Sequence, residues 1–275
     1  MSKFKTTFYT IETGKIPGLK RPWRLALLAD LHNKSYGPDN RLLLEEIRKN
    51  HPDGILIAGD LIISDRKKQE VHKDAAYQLL IALAAEYPVY LGNGNHEHRM
   101  REFPDSFAGE YDSYIRMLRS CGIHTLVNGH LTQQIGGALV TIYGFELDFS
   151  YYKRFTRKPF AVTCLTDALG TPDPGHYNIL IAHNPVYFPQ YAKWGADLTV
   201  SGHLHGGIIR IPGIGGLITP QAKLFPKYDA GYFEEQGRSL IVSRGLGSHT
   251  VNLRIFNPAE LIFIDITNRQ EDNTK

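Results

Sequence analysis

The chain has 275 residues, of which 42% are hydrophobic and 21% charged, with a formal net charge of +3. That length and composition support a substantial core and exclude a disordered, collagen-like or low-complexity chain. The small basic excess argues against a nucleic-acid or anionic-membrane surface carried by charge alone.

In chain order, Arg24–Ala29 reads as a buried strand and Arg41–Asn50 has the Leu/Ile spacing of a helix. Gly54–Ala58 is a second strand, Lys67–Glu86 a helix and Pro88–Leu91 a short strand. Glu110–Ser120 is helical and stops before Gly122; Ile123–Val127 is a strand closed by the turn pair Asn128-Gly129. Near-continuous apolar strands separated by helices imply a largely parallel sheet covered on both faces. A hairpin follows, Leu131–Ile135 with Ala138–Tyr143, joined at Gly136-Gly137. Strands at Tyr177–Ala182 and Leu198–Ser201 flank a helix over about Val186–Lys193. From Ile208 the pattern is antiparallel, with strands at Ser239–Ser243, Leu253–Phe256 and Leu261–Ile266. One domain over 1–275 with two packed sheets is the expected organisation.

Only Cys121 and Cys164 occur, neither in a CxxC, so a cysteine-based zinc site or disulfide framework is excluded. No apolar run approaches the roughly 20 residues that span a bilayer. Met1–Thr10 has no hydrophobic region of the secretory type. A cytoplasmic protein is expected, with peripheral membrane association left open.

Histidine is the unusual count, at 12. Five predicted strands are each followed by Asp, His or Asn: Asp30-Leu31-His32, Gly59-Asp60, Gly94-Asn95-His96-Glu97, His183-Asn184 and Gly202-His203-Leu204-His205. Ligands of open α/β sheets bind beyond the carboxyl ends of strands. These donors therefore converge on one rim, although they are spread over roughly 175 residues. Singly, each motif also fits a turn aspartate, a helix cap or a surface histidine. Jointly and at strand ends, they read as ligands. Oxygen and imidazole donors without thiolate suit Mn²⁺, Fe or Zn²⁺. Asp30, His32, Asp60, Asn95, His183, His203 and His205 are too many for one tetrahedral ion. They suit two divalent ions sharing a carboxylate, for which Asp60 is placed.

This motif set resembles the calcineurin-like metallophosphoesterase superfamily over about residues 22–268. The resemblance implies a four-layer α/β/β/α sandwich of two mixed sheets. It implies that Asp30, His32, Asp60 and His205 hold one metal, and that Asp60, Asn95, His183 and His203 hold the other. It also implies that His96 protonates the leaving oxygen. The segments around Gly202–Pro212, Ser243–Gly247 and Leu253–Glu260 are similar to a bacterial subgroup. That subgroup includes cell-envelope phosphodiesterases and a UDP-2,3-diacylglucosamine pyrophosphohydrolase. Leu204 and Ile208 stand where the subgroup has Thr and Gln.

The expected reaction is hydrolysis of a phosphodiester or pyrophosphate bond by a hydroxide shared between two cations, acting in line. The substrate is a small or lipid-linked phosphoester. The alternatives are a phosphomonoesterase, including a protein phosphatase, and a nuclease, which the +3 charge disfavours. No specific nucleic-acid partner is expected. Glu97 is placed to orient His96 or a ligand, or else is a solvated turn carboxylate. Arg244, in a glycine-rich turn, is placed to contact phosphate through its planar fork; a structural ion pair is the competing reading. The aromatic stretch Phe145–Tyr152 either walls a cleft or packs as ordinary core.

Overall fold

The computed structural model describes residues 4–152, 158–207, 209–211, 215–218, 226–248 and 254–268. Its strands, in chain order, begin with β1 (Phe4–Thr13), β2 (Trp23–Leu28), β3 (Gly54–Ala58), β4 (Ile63–Asp65), β5 (Glu70–His72) and β6 (Val89–Gly92). Next come β7 (His124–Thr125), β8 (Gly129–Ile135), β9 (Ala138–Phe145), β10 (Tyr177–Ala182) and β11 (Leu198–Ser201). The last are β12 (Ile209–Ile211), β13 (Gly215–Ile218), β14 (Gly231–Glu235), β15 (Arg238–Val242) and β16 (Ala259–Asn268). The α-helices are α1 (Arg41–Lys49), α2 (Asp74–Ala84), α3 (Asn95–Glu102), α4 (Glu110–Ser120), α5 (Thr163–Leu169) and α6 (Phe188–Trp194).

Two six-stranded sheets form the centre, in the orders β1-β16-β2-β3-β6-β7 and β14-β15-β11-β10-β9-β8. Both are mixed. In the first, β2, β3, β6 and β7 run parallel while β16 is antiparallel to β2. In the second, β9, β10, β11 and β15 run parallel, flanked by antiparallel β8 and β14.

Side chains along a strand alternate between faces, and here both faces are buried. Leu25 and Leu27 of β2 face the other sheet, together with Leu56, Ile142, Ile179, Ile181 and Ile264. Ala26 and Leu28 face the opposite way, toward Leu43 and Ile47 of α1 and Leu79, Leu80 and Leu83 of α2. The outer face of the second sheet buries Leu180, Leu240 and Val242 against Leu165 of α5 and Phe188 and Tyr191 of α6. Three apolar layers between four layers of elements make the expected α/β/β/α sandwich, and double burial explains the unbroken apolar runs.

The structure departs from the sequence expectations at several elements. Lys67–Glu86 is not one helix: β5 pairs antiparallel with β4, and α2 begins only at Asp74. β1 precedes the stretch covered by the resemblance and forms the edge of the first sheet, parallel to β16 from Phe4↔Ala259 to Thr13↔Asn268. The Val186–Lys193 helix is a 3₁₀ turn, Pro185–Tyr187, followed by α6. The antiparallel C-terminal pattern holds for β14 with β15, but β15 lies parallel to β11. Of the Leu253–Phe256 strand, Leu253 lies outside the described residues, as do Ile208 and Pro212, and Arg254–Phe256 forms no extended strand. Among the described residues no helix is long and apolar enough to cross a membrane.

Candidate metal centre

Parallel strands in both sheets put their carboxyl ends on one edge of the sandwich. Asp30 and His32 follow β2, Asp60 follows β3, Asn95 and His96 open α3 after β6, His183 follows β10, and His203 and His205 follow β11. Backbone bonds lock these loops together. The Asp30 and His32 N–H groups donate to the Gly59 and Asp60 carbonyls at 3.0 and 3.1 Å, and the Gly202 N–H donates to the His183 carbonyl at 3.1 Å. The loops approach too closely for side chains at Gly94 and Gly202. A Cβ there would lie 2.2 Å from Asp60 Oδ1 and 2.3 Å from Asp30 Oδ2 respectively. Five of the seven candidate ligands (Asp30, His32, Asp60, His203 and His205) have φ between 47° and 72°. Left-handed backbone at non-glycine residues costs free energy and concentrates at functional sites.

Among the described residues the side chains gather into three sets, two separate ones and a third that shares a residue with each. Asp30, His32 and His205 form one: His205 Nε2 is 3.5 Å from Asp30 Oδ1 and 3.2 Å from His32 Nε2. Asp60, His183 and His203 form the other, with His183 Nε2 3.2 Å from Asp60 Oδ2. Asp60 also groups with His32 and His96, so it reaches both sides. His183 Nε2 lies 3.9 Å from Asp30 Oδ1, which closes the space between the sets.

The donors fit cations. Ligand bonds of about 2.0–2.2 Å place neighbouring donor atoms roughly 3–3.5 Å apart, and the shorter separations above fall in that range. The His183 Nδ1–H donates to the Ala58 carbonyl at 2.6 Å. In the neutral ring this leaves the Nε2 lone pair facing the Asp60 carboxylate, an arrangement that a proton or a cation must relieve. Asn95 Oδ1 is buried and accepts no hydrogen bond among the described residues. An unsatisfied buried acceptor is costly unless an ion or solvent meets it.

Burial pushes the Asp30 carboxyl up to about 7, and the Asp60 charge adds to the shift. Burial pulls the same way on Asp60, but His183, His96 and His32 outweigh it and hold that carboxyl well below the usual range. Burial alone would lower His183; Asp60 and then Asp30 reverse this and push it up to about 10. His205 is held well below the usual imidazole value by burial and by His32.

A supporting layer fixes these groups. Glu97 accepts hydrogen bonds from the backbone N–H groups of Asp60, Leu61 and Gly94, each at 2.9 Å, and of Ile62 at 3.4 Å. It is therefore a buried clamp on the Asp60 loop. The His96 N–H donates to Asp60 Oδ1 at 2.8 Å, and the His203 N–H donates to both Asp30 oxygens at 3.1 and 3.0 Å. The Ser64 N–H donates to His96 Nδ1 at 2.9 Å, so Nε2 carries the ring proton in the neutral form. Arg99 Nη1 donates to the Ser64 carbonyl at 2.7 Å and lies 3.2 Å from His96 Nδ1.

Arg244 stands beside the turn that carries His205: a Cβ on Gly206 would lie 3.1 Å from its Cγ, and its buried Nε meets no hydrogen-bond acceptor among the described residues. Its backbone N–H donates to Glu260 Oε2 at 3.3 Å, and its Nε is 3.8 Å from Glu260 Oε1. The aromatic stretch divides: Tyr152 sits edge-on to His203 with ring centres 5.0 Å apart, and Phe149 packs on His98 and Phe103. Ser64 and Arg99 carry no sequence signal of their own. Arg99 becomes legible only once α3 is known to start at Asn95, which sets it one turn beyond His96.

The model of the calcineurin-like phosphoesterase family matches residues 24–207. Among relatives, an uncharacterized metallophosphoesterase of Bacillus subtilis, YkuE, is 26% identical over 94% of this chain and 83% of its own length. The phosphodiesterase YaeI of Escherichia coli is 26% identical over 82% of this chain and 76% of its own length. A crystal structure of the phosphopantetheinyl hydrolase of Mycobacterium tuberculosis aligns with a TM-score of 0.48 at 15% identity, covering 84% of this chain and 89% of that one. The matched segment begins within β2 and ends just past His205, so it contains every candidate ligand: this chain belongs to the calcineurin-like phosphoesterase family.

Proposed function

We propose that the chain is a dinuclear-metal hydrolase of phosphodiester or pyrophosphate bonds in a small or lipid-linked substrate. One observation carries this reading: Asp60 belongs to donor sets on both sides of the site, so a single carboxylate can serve two cations. The relative named a phosphodiesterase supports the choice of bond. Asp30, His32, Asp60 and His205 would hold one ion, and Asp60, Asn95, His183 and His203 the other. Mn²⁺, Fe and Zn²⁺ all suit these donors. Ions bound there supply Lewis acidity, which polarises phosphoryl oxygens and acidifies water.

The chain's own residues do the rest. Glu97 holds the Asp60 loop, so the shared carboxylate needs no reorganisation during turnover. His96 presents its Nε2 proton to the leaving alkoxide, because Ser64 occupies Nδ1. Tyr152, packed edge-on against His203, would limit solvent access there.

The test compares bis-p-nitrophenyl phosphate with p-nitrophenyl phosphate after chelation and return of Mn²⁺ or Zn²⁺. The diester should be cleaved with at least tenfold higher kcat/KM, and only with metal returned. A faster monoester, or turnover that survives chelation, would overturn the proposal.

A further inference from the structure

A cavity of about 300 Å³ lies on the outside of the first sheet, between α3, α4 and the segment that follows β7. That volume is at the lower end for small-ligand pockets, roughly 300–1,000 Å³. Its walls include Arg101, Arg116 and Arg119, with Asp112 as the single carboxylate, and with Tyr111 and Ile115 as an apolar side.

The arginines are not neutralised in proportion. Arg101 pairs with the buried Glu146. Arg116 donates to Ser113 Oγ at 3.1 Å and Arg119 to Thr125 Oγ1 at 3.0 Å; neither forms an ion pair among the described residues. Both lie on α4 three residues apart, where like charges repel. The Tyr111 hydroxyl accepts a hydrogen bond from the buried Asn93 Nδ2 at 2.8 Å, which fixes the ring at the cavity wall. Guanidinium forks around one cavity are the chemistry that recognises a phosphate dianion.

We infer that this cavity is an anion site, separate from the metal centre, that takes a phosphate group and seats any organic part of the ligand against Tyr111 and Ile115. The inference does not depend on the hydrolytic reading, and it is tested without that activity. Calorimetric titration of the chelator-treated full chain, at low salt, uses inorganic phosphate in one arm and AMP in the other. Saturable one-site binding is expected. It should weaken at least tenfold when Arg116→Ala and Arg119→Ala are combined, and stay unchanged in Lys67→Ala, an exposed cation elsewhere. Because Arg116 and Arg119 are exposed, the double variant should melt like the parent. AMP binding at least tenfold tighter than phosphate assigns an organic phosphate; equal affinities assign phosphate itself. Absence of saturable binding, or a double variant that binds as tightly as the parent, overturns the inference.

Discussion

His96 is set by neighbours outside the candidate ligand set. Its Nδ1 is occupied by the Ser64 N–H at 2.9 Å, and Arg99 keeps Ser64 in place through the Ser64 carbonyl at 2.7 Å. Removing His96 and removing Arg99 should therefore differ in kind. His96→Ala should retain its metal content and lose about 10²–10⁴-fold in kcat, most with poor leaving groups. Arg99→Ala should leave metal content intact and lower kcat less, with little change in KM; nitrogen NMR shifts of His96 should show the Nδ1-protonated tautomer gaining population. Metal loss in either variant would mean that the residue belongs to the ligand set instead. The sequence reading reached His96 and Glu97 because they adjoin Asn95 in one motif. It missed Arg99 and Ser64 because α3 (NHEHRMRE) has no apolar period to announce a helix, and because Ser64 lies in a short strand whose partner is equally short.

At the scale of elements, the site depends on how closely strand ends can meet. β11 ends beside β2 only because Gly202 has no side chain: a Cβ would lie 2.9 Å from that of Ala29 and 2.3 Å from Asp30 Oδ2. Gly202→Ala should push Asp30 off its backbone donor His203 and loosen the Asp30, His32, His205 set. Divalent-ion affinity should fall at least tenfold by titration of the chelated protein, while far-ultraviolet circular dichroism keeps the native signal. Unchanged affinity would mean that the loops yield and that close approach is not what positions Asp30. This feature was half legible. The parallel strands were visible as apolar runs, and the glycines stood beside the ligands. The β4–β5 hairpin was not visible: the stretch from Lys67 reads as polar helix, and only the pairing of Ile63–Asp65 with Glu70–His72 makes Arg66–Gln69 a turn. β1 was missed for a similar reason, since an edge strand buries one face weakly and carries mixed side chains.

For the whole molecule, three apolar layers hold a rim of buried charge that is adapted to a guest. Without a cation, Asp30 and Glu97 are both pushed up to about 7, first by burial and, for each, by the Asp60 charge as well. Their ordinary values are 3.8 and 4.5. Between those values and about 7 the folded chain binds more protons than the unfolded chain, so this stability is lost as pH rises. His183, raised from 6.5 to about 10, continues the loss on the alkaline side. His205, held well below 6.5, acts in the opposite sense, but only beneath that value. Chelated protein should therefore lose melting temperature from pH 6.5 to 9. A bound divalent ion reverses the balance, because it needs its ligands deprotonated and stabilises the folded chain by mass action. The gap in melting temperature between Mn²⁺-loaded and chelated protein should then widen from pH 5.5 to 8.5. Titrating groups far from the rim act alike in both samples and cancel in that difference. A gap that stays constant or narrows would mean that Asp30 and the rim imidazoles do not meet the cation.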